Sequence, residues 1–232
     1  MQTIYDVGMH NGDDTEYYLK KGFNVVAIEA DPELCADARK RFAGVPTQRL
    51  AIVNIGIADK SGELDFFVNP KNTVVNTFYP TLSTERNAQW KSIRVLTERL
   101  STIIEQYDEP FFIKIDIENS DISALTDLIS TTIRPPFISV EAHSFDVFVK
   151  LIQFGYSKFK IVNCAHIAST FATREIVHRD GTRALYSFPH HSSGPFGDDL
   201  PEPWLSAEQL ACLFMARESL LGKGWYDIHA KL

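Results

Sequence analysis

Near the amino terminus, the acids and glycines that bracket two short apolar runs are spaced to hold a nucleoside. Asp6-Val7-Gly8-Met9-His10-Asn11-Gly12 closes the first run, and Glu29 ends the second, NVVAIE (24–29), 17 residues after Gly12. Gly8 and Gly12 lack a Cβ, so the backbone there can turn and approach a ligand closely. An acid where Glu29 stands can accept from both ribose hydroxyls. A dinucleotide-binding turn needs GxGxxG, whereas residues 8–13 read GMHNGD. Met9 and His10 fill the approach to a pyrophosphate, and Asp13 and Asp14 repel it. S-adenosylmethionine carries an ammonium and a sulfonium and no phosphate, and the Asp6 carboxylate suits that ammonium. The charge pattern therefore selects adenosylmethionine over NAD, with an NAD-dependent oxidoreductase as the alternative.

A second group of residues points to an acceptor. Lys114 and Asp116 interrupt the apolar run FFIKIDI (111–117), Glu118 follows it, and Glu141 and His143 follow the run FISV. Two charges inside an apolar strand are expensive to bury unless they are paired or used. Lys114 and Asp116 share one face of that strand, so an ion pair of purely structural value competes with a functional role. His143 titrates near neutral pH in its ordinary state and can take a proton from a hydroxyl. A histidine bonded to backbone at a helix start is the equal alternative. The same acids resemble, in placement only, those of the Mg-dependent catechol-type O-methyltransferases. A divalent metal is not favoured, because histidine is an unusual ligand for Mg²⁺, and no metal-ligating residue is assigned.

These residues need strands that all end at one edge. Strand-like runs at 3–7, 24–29, 48–56, 63–68, 93–96, 111–117, 137–141, 158–163 and 183–188 alternate with helical segments at 15–21, 32–42, 100–107, 123–129, 145–154 and 207–221. Asp13 and Asp14 are placed to cap the first helix. Asp31-Pro32 opens the second with a cap and a proline at its first position. Alternation at this spacing predicts an α/β fold, a Rossmann-like and mostly parallel doubly wound sheet in one domain over 1–232. The polar stretch 69–90 reads as a lid, and the Gly/Pro-rich stretch 189–203, with His190 and His191 at its start, as an acceptor-side loop.

Composition sets limits on partners. With 23 basic and 30 acidic residues the chain has a formal charge of −7, opposite to the basic stripe of nucleic-acid binders. Nucleic acid and membrane are therefore not expected partners. Three widely spaced cysteines form no CxxC pair and, with no signal-peptide pattern at the amino terminus, lead us to expect a cytoplasmic protein.

Taken in order, YDVGMHNGDDTEYYLKKG, VVAIEADPEL, DKSGELDFFV, FIKIDIEN and SSGPFGDDL resemble the FkbM-type methyltransferases across residues 4 to about 204. The resemblance implies a class I methyltransferase fold and transfer of a methyl group from S-adenosylmethionine, leaving S-adenosylhomocysteine. The acceptor it implies is a hydroxyl on a sugar or secondary metabolite. It places Asp6, Gly8, Asn11, Gly12 and Thr15 around the methionine part of the cofactor, Glu29 on the ribose, and Ile57 and Ala58 beside the adenine. Lys114, Asp116, Glu118, Glu141 and His143 remain for the acceptor side. One departure stands out: where such chains usually have glycine after the acidic pair of the fourth strand, this one has Asn119.

Overall fold

The computed structural model describes residues 1–83, 85, 87–172, 175–221 and 224–232. Along the chain run β1 (Thr3–Val7), α1 (Asp13–Lys21), β2 (Asn24–Glu29), α2 (Pro32–Arg41), β3 (Leu50–Asn54), β4 (Gly56–Ile57) and β5 (Gly62–Val68). Next come β6 (Lys91–Glu98), α3 (Leu100–Ile104), β7 (Pro110–Ile115), α4 (Asp121–Ile129), β8 (Phe137–Glu141), α5 (Phe145–Phe154) and β9 (Lys158–Asn163). The chain finishes with α6 (Ile167–Thr170), β10 (Glu175–Val177), β11 (Arg183–Leu185), α7 (Ala207–Leu221) and β12 (Tyr226–Lys231).

Seven strands form the central sheet in the order β3-β2-β1-β7-β8-β12-β9. All run parallel except β12, which is antiparallel to both β8 and β9. The Rossmann-like, class I methyltransferase fold expected from the alternation is therefore the fold observed. The inner strands read as continuous apolar runs because helices cover both faces. One face packs Tyr5, Val7, Ile113 and Val140 against α3, α4, α5 and α7. The other packs Ile4, Ala27 and Phe112 against α1, α2 and the 188–200 segment. Beside the main sheet lie a three-stranded sheet, β4-β6-β5, and the β10-β11 ribbon.

Element boundaries differ from expectation in instructive places. The first helix starts at Asp13 rather than Thr15, behind a left-handed Gly12, and no side chain caps it. Asp14 instead turns away to a distant loop. Asp31 does cap the second helix, accepting from the Glu33 N–H at 2.8 Å, and that helix stops at Arg41, short of Gly44. The strand at 183–188 shortens to β11. Strand β12 is missing from the sequence reading altogether, although YDIHAK alternates with period two, because the reading stopped at the helix before it.

Candidate active site

The strand order reverses between β1 and β7, and a cleft opens there beyond the carboxyl ends of the strands, where ligands bind in open α/β sheets. It encloses about 1080 Å³ out to its mouth.

One half is built on the turn after β1. Gly8 and Met9 N–H groups both donate to the Ile28 carbonyl, at 3.0 and 2.9 Å. Glu29 takes the His10 N–H at 2.9 Å on one oxygen and the Asp31 N–H at 2.8 Å on the other. Burial pushes the Glu29 carboxyl up to about 7, against the pull of those two N–H groups. The two glycines of this turn are also needed for packing. A Cβ on Gly8 (φ +85°) would sit 1.8 Å from the Asp116 carbonyl oxygen, and one on Gly12 (φ +87°) 2.7 Å from the Phe42 ring. Both make room for the protein's own chain. Ile28, Ile57, Phe66 and Phe78 line an apolar wall nearby. Phe78 fits because Gly56 has no Cβ, which would lie 2.5 Å from its ring.

The polar stretch after β5 forms part of this wall. Its Thr73, Val74 and Asn76 line the cleft. It is tied down by Thr73 Oγ1 to His10 Nε2 at 2.8 Å, by Asn76 Nδ2 donating to Asp31 at 3.1 Å, and by Thr77 Oγ1 donating to the Glu118 carbonyl at 2.7 Å.

Under the cleft lies Lys114, 3% exposed. Its Nζ is 3.4 Å from Asp116 and 3.6 Å from both Asp6 and Asp14, and it donates to the Gly8 carbonyl at 3.4 Å. Burial alone would lower its proton affinity, but the three carboxylates raise it well above the ordinary lysine range. The same contact holds Asp116 below its usual value despite burial. Asp6 is fully buried beneath the turn and takes the Thr15 hydroxyl at 2.6 Å.

The other half carries acids with few partners. Glu118 and Asn119 both adopt left-handed backbone, φ 43° and 74°. Asparagine is among the few side chains that tolerate this region, so Asn119 is compatible with the turn it occupies. The Glu118 carboxylate makes no hydrogen bond or ion pair with any described residue, and burial, with Asp116 adding, pushes it up to about 7. Burial likewise lifts Glu141 far above its ordinary value, with the Asp116 charge beside it. His143 Nε2 lies 3.0 Å from Glu141 and 3.8 Å from Asp121. Burial pulls this imidazole down, but the hydrogen bond to Glu141 and the surrounding carboxylates outweigh it and hold the ring at about 10. The acids around His143 thus bind its proton more tightly than an ordinary imidazole would, which weakens it as a base near neutral pH.

Of the residues singled out in the sequence, Gly8, Asn11, Glu29, Ile57, Lys114 and Asp116 line the cleft, as do Glu118 and Glu141. Asp6, Gly12, Thr15, Ala58 and His143 surround it without lining it. His191 and Trp225 also face the cleft, with ring centroids 6.4 Å apart. Trp225 immediately precedes β12, so its place at the cleft follows from the pairing of that strand. Phe78 lay hidden in a stretch read only as polar. Among the described residues, no group of three or more His, Cys, Asp or Glu side chains is arranged to hold a metal ion.

The donor set fits adenosylmethionine. The apolar wall suits an adenine, the acids suit a cationic ligand, and the one lysine is neutralised by three aspartates, leaving no free cation for a pyrophosphate. Fold and cleft together define a class I S-adenosylmethionine-dependent methyltransferase. The chain belongs to the FkbM family: the methyltransferase FkbM domain matches residues 6–181. No curated protein matches it significantly in sequence. Among solved structures it is similar to a precorrin-6y C5,15-methyltransferase from Geobacter metallireducens, at 10% identity and TM-score 0.43, covering 99% of this chain and 80% of that one. It is also similar to a precorrin-8w decarboxylase from Methanobacterium thermoautotrophicum (11% identity, 100% and 81% covered, TM-score 0.45). A third likeness is to an S-adenosylmethionine-dependent methyltransferase from Aquifex aeolicus (14% identity, 70% and 76% covered, TM-score 0.38).

Proposed function

We propose that this enzyme methylates a hydroxyl group of a sugar or secondary metabolite, with Glu118 as general base. The observation that carries this reading is the Glu118 carboxylate: it lines the cleft, makes no hydrogen bond or ion pair with any described residue, stands on left-handed backbone, and is pushed by burial up to about 7. A base of that strength is half ionised at working pH, where general-base catalysis is most efficient. His143 holds Glu141 in place through the 3.0 Å contact of its Nε2.

Gly8, Asn11 and Gly12 would hold the methionine end of the cofactor, Asp6 and Thr15 would brace that turn from below, Glu29 would take the ribose, and Ile57 and Ala58 the adenine. Bound, the cofactor supplies an electrophilic methyl group on a sulfonium. The chain's own part is to orient the acceptor oxygen, exclude water and remove the hydroxyl proton at Glu118. By the same reading residues 69–90 act as a lid. Among the described residues no helix is long and apolar enough to cross a membrane, in keeping with a cytoplasmic enzyme acting on a small molecule.

The test is a screen of hydroxylated metabolites with methyl-labelled adenosylmethionine, followed by Glu118→Gln. Turnover should fall by roughly 10²–10⁴ while adenosylhomocysteine affinity stays within about threefold. The native rate should rise with pH through about 7, as Glu118 loses its proton, and the variant should lose that limb. Unchanged turnover would remove Glu118 from the chemistry. Activity abolished by a chelator and restored by Mg²⁺ would turn these acids into metal ligands instead.

A further inference from the structure

The carboxylate of Asp14 is nine-tenths buried, yet it serves neither its own helix nor the cleft alone. It accepts the Ser192 hydroxyl in a short hydrogen bond and the N–H groups of Ser193 (3.1 Å) and Gly194 (3.4 Å). These partners lie 178–180 residues further along the chain, beyond the end of the matched family domain at residue 181. Gly194, at φ +83°, fixes the path of the loop here, because a Cβ would sit 2.7 Å from Ile167.

The loop is held in two unlike ways. Its distal part is built into the core: Phe196 stacks on Phe112 with centroids 4.1 Å apart and planes 4° apart, and Lys160 Nζ donates to the Gly197 and Leu200 carbonyls at 2.9 and 2.8 Å. The part facing the cleft follows Phe188, which packs on Tyr17 and Phe171, and is itself held by polar contacts. Beyond the turn bonds within 189–194, the Ser192 hydroxyl and the Ser193 and Gly194 N–H groups go to Asp14, and the Ser193 side chain lies against Asp227. His191, one residue before the latch, faces the cleft beside Trp225. Asp14 also shares Lys114 with Asp116, which lines the same cleft.

We propose that Asp14 is a positioning residue: with Ser192 it latches the 190–194 segment so that His191 and Trp225 wall the acceptor side, and it links that wall to the charged floor under the cofactor. This rests on the reading of the cleft as the adenosylmethionine site. A ligand that draws on Asp116 alters the field shared by Lys114 and Asp14, so loop docking and ligand binding are coupled in both directions.

The test uses Ser192→Ala, Asp14→Asn and their combination in the full chain. Ser192 does not line the cleft, so any effect of its variant on ligand binding must pass through the latch. Charge-assisted hydrogen bonds of this kind predict amide exchange at 190–194 faster by about ten- to a hundredfold in Ser192→Ala, with β1 and β7 unchanged. In a Trp90→Phe/Trp204→Phe background Trp225 is the sole tryptophan, and its emission should move toward that of a solvated indole. Adenosylhomocysteine should bind several-fold more weakly, and Ser192→Ala should add nothing once Asp14→Asn is present. Should Asp14→Asn fail to fold, Ser192→Ala alone decides. Unchanged exchange at 190–194 overturns the latch. Faster exchange with unchanged emission and affinity overturns its role in shaping the cleft. A native protein that does not bind adenosylhomocysteine sinks the proposed cofactor instead, and the latch is then judged on exchange and emission in the empty protein.

Discussion

The two halves of the cleft satisfy their polar groups in opposite ways. On the β1–β2 side the Glu29 carboxylate takes one backbone N–H on each oxygen, the turn is pinned to Ile28, and the remaining wall is apolar. On the β7–β8 side Glu118 makes no hydrogen bond or ion pair with any described residue, one buried Asp121 oxygen has no hydrogen bond and only His143 3.8 Å away, and two consecutive residues sit in left-handed backbone. The first half comes from neighbouring stretches of chain, and there only Asp6 keeps a buried oxygen without a hydrogen bond among the described acids. The second gathers residues from 116–143 and 189–225 and leaves acids whose charge is unspent. A rigid, satisfied half suits a cofactor common to a whole family. An unsatisfied half suits an acceptor and a proton to be moved. Unpaired, strained groups persist where surrounding structure fixes them, and functional sites are where they gather.

Lys114 lies beneath both halves, so its removal is the harshest test of the contrast. Lys114→Met leaves two buried aspartates, Asp6 and Asp14, and the half-buried Asp116 without their cation and should lower unfolding free energy by about 3–5 kcal/mol in urea titrations. A loss under 1 kcal/mol would mean that the aspartates are held by other means.

Next in size is Glu29→Ala, which should touch the satisfied half alone. Calorimetry should show adenosylhomocysteine affinity weakened by about 1.5–3 kcal/mol, against the small change expected for Glu118→Gln. Equal losses for the two variants would erase the distinction between the halves.

Proton linkage gives a third comparison. Folding raises Glu29 and Glu118 from 4.5 to about 7 and Asp227 from 3.8 to about 7. Above pH 4.5 the unfolded chain has released these protons while the native state keeps them, so the stabilisation present at low pH is lost as pH rises toward 7. Unfolding midpoints measured from pH 4.5 to 7.5 should fall over that window. Glu118→Gln should flatten part of the fall, and an unaltered slope would place that proton elsewhere.

The smallest effect concerns the turn at Asn119. Asn119→Val should lose about 1–2 kcal/mol, because a β-branched residue resists left-handed backbone, while Asn119→Gly should stay within about 0.5 kcal/mol of native. Equal stability for both would mean that the turn relaxes.

Much of this was legible in the sequence because it is local. Apolar run length, Asp31 before Pro32 and the order of the motifs follow from nearest-neighbour chemistry, and they led to the parallel sheet, the second helix cap and the class of cofactor. Asp14 was read by the same local logic as a helix cap and was misread, because its partners lie at 192–194 and no spacing rule reaches that far. That Gly8 and Gly12 also make room for Asp116 and Phe42 is invisible in the sequence, because those contacts exist only once β7 and α2 have packed. His143 has the ordinary proton affinity of its type until Glu141 and Asp121 close around it and raise it. Strand β12 shows the same divide. Its alternation of Tyr226, Ile228 and Ala230 with Asp227, His229 and Lys231 is visible in the sequence. Its place between β8 and β9, which brings Trp225 to the cleft, is set by long-range pairing. Side-chain type and period determine which elements form and what chemistry they can carry. Which charges meet, and so which of them remain free to act, is decided by tertiary packing, because burial and partner distance set proton affinity and neither is a property of the chain read in order.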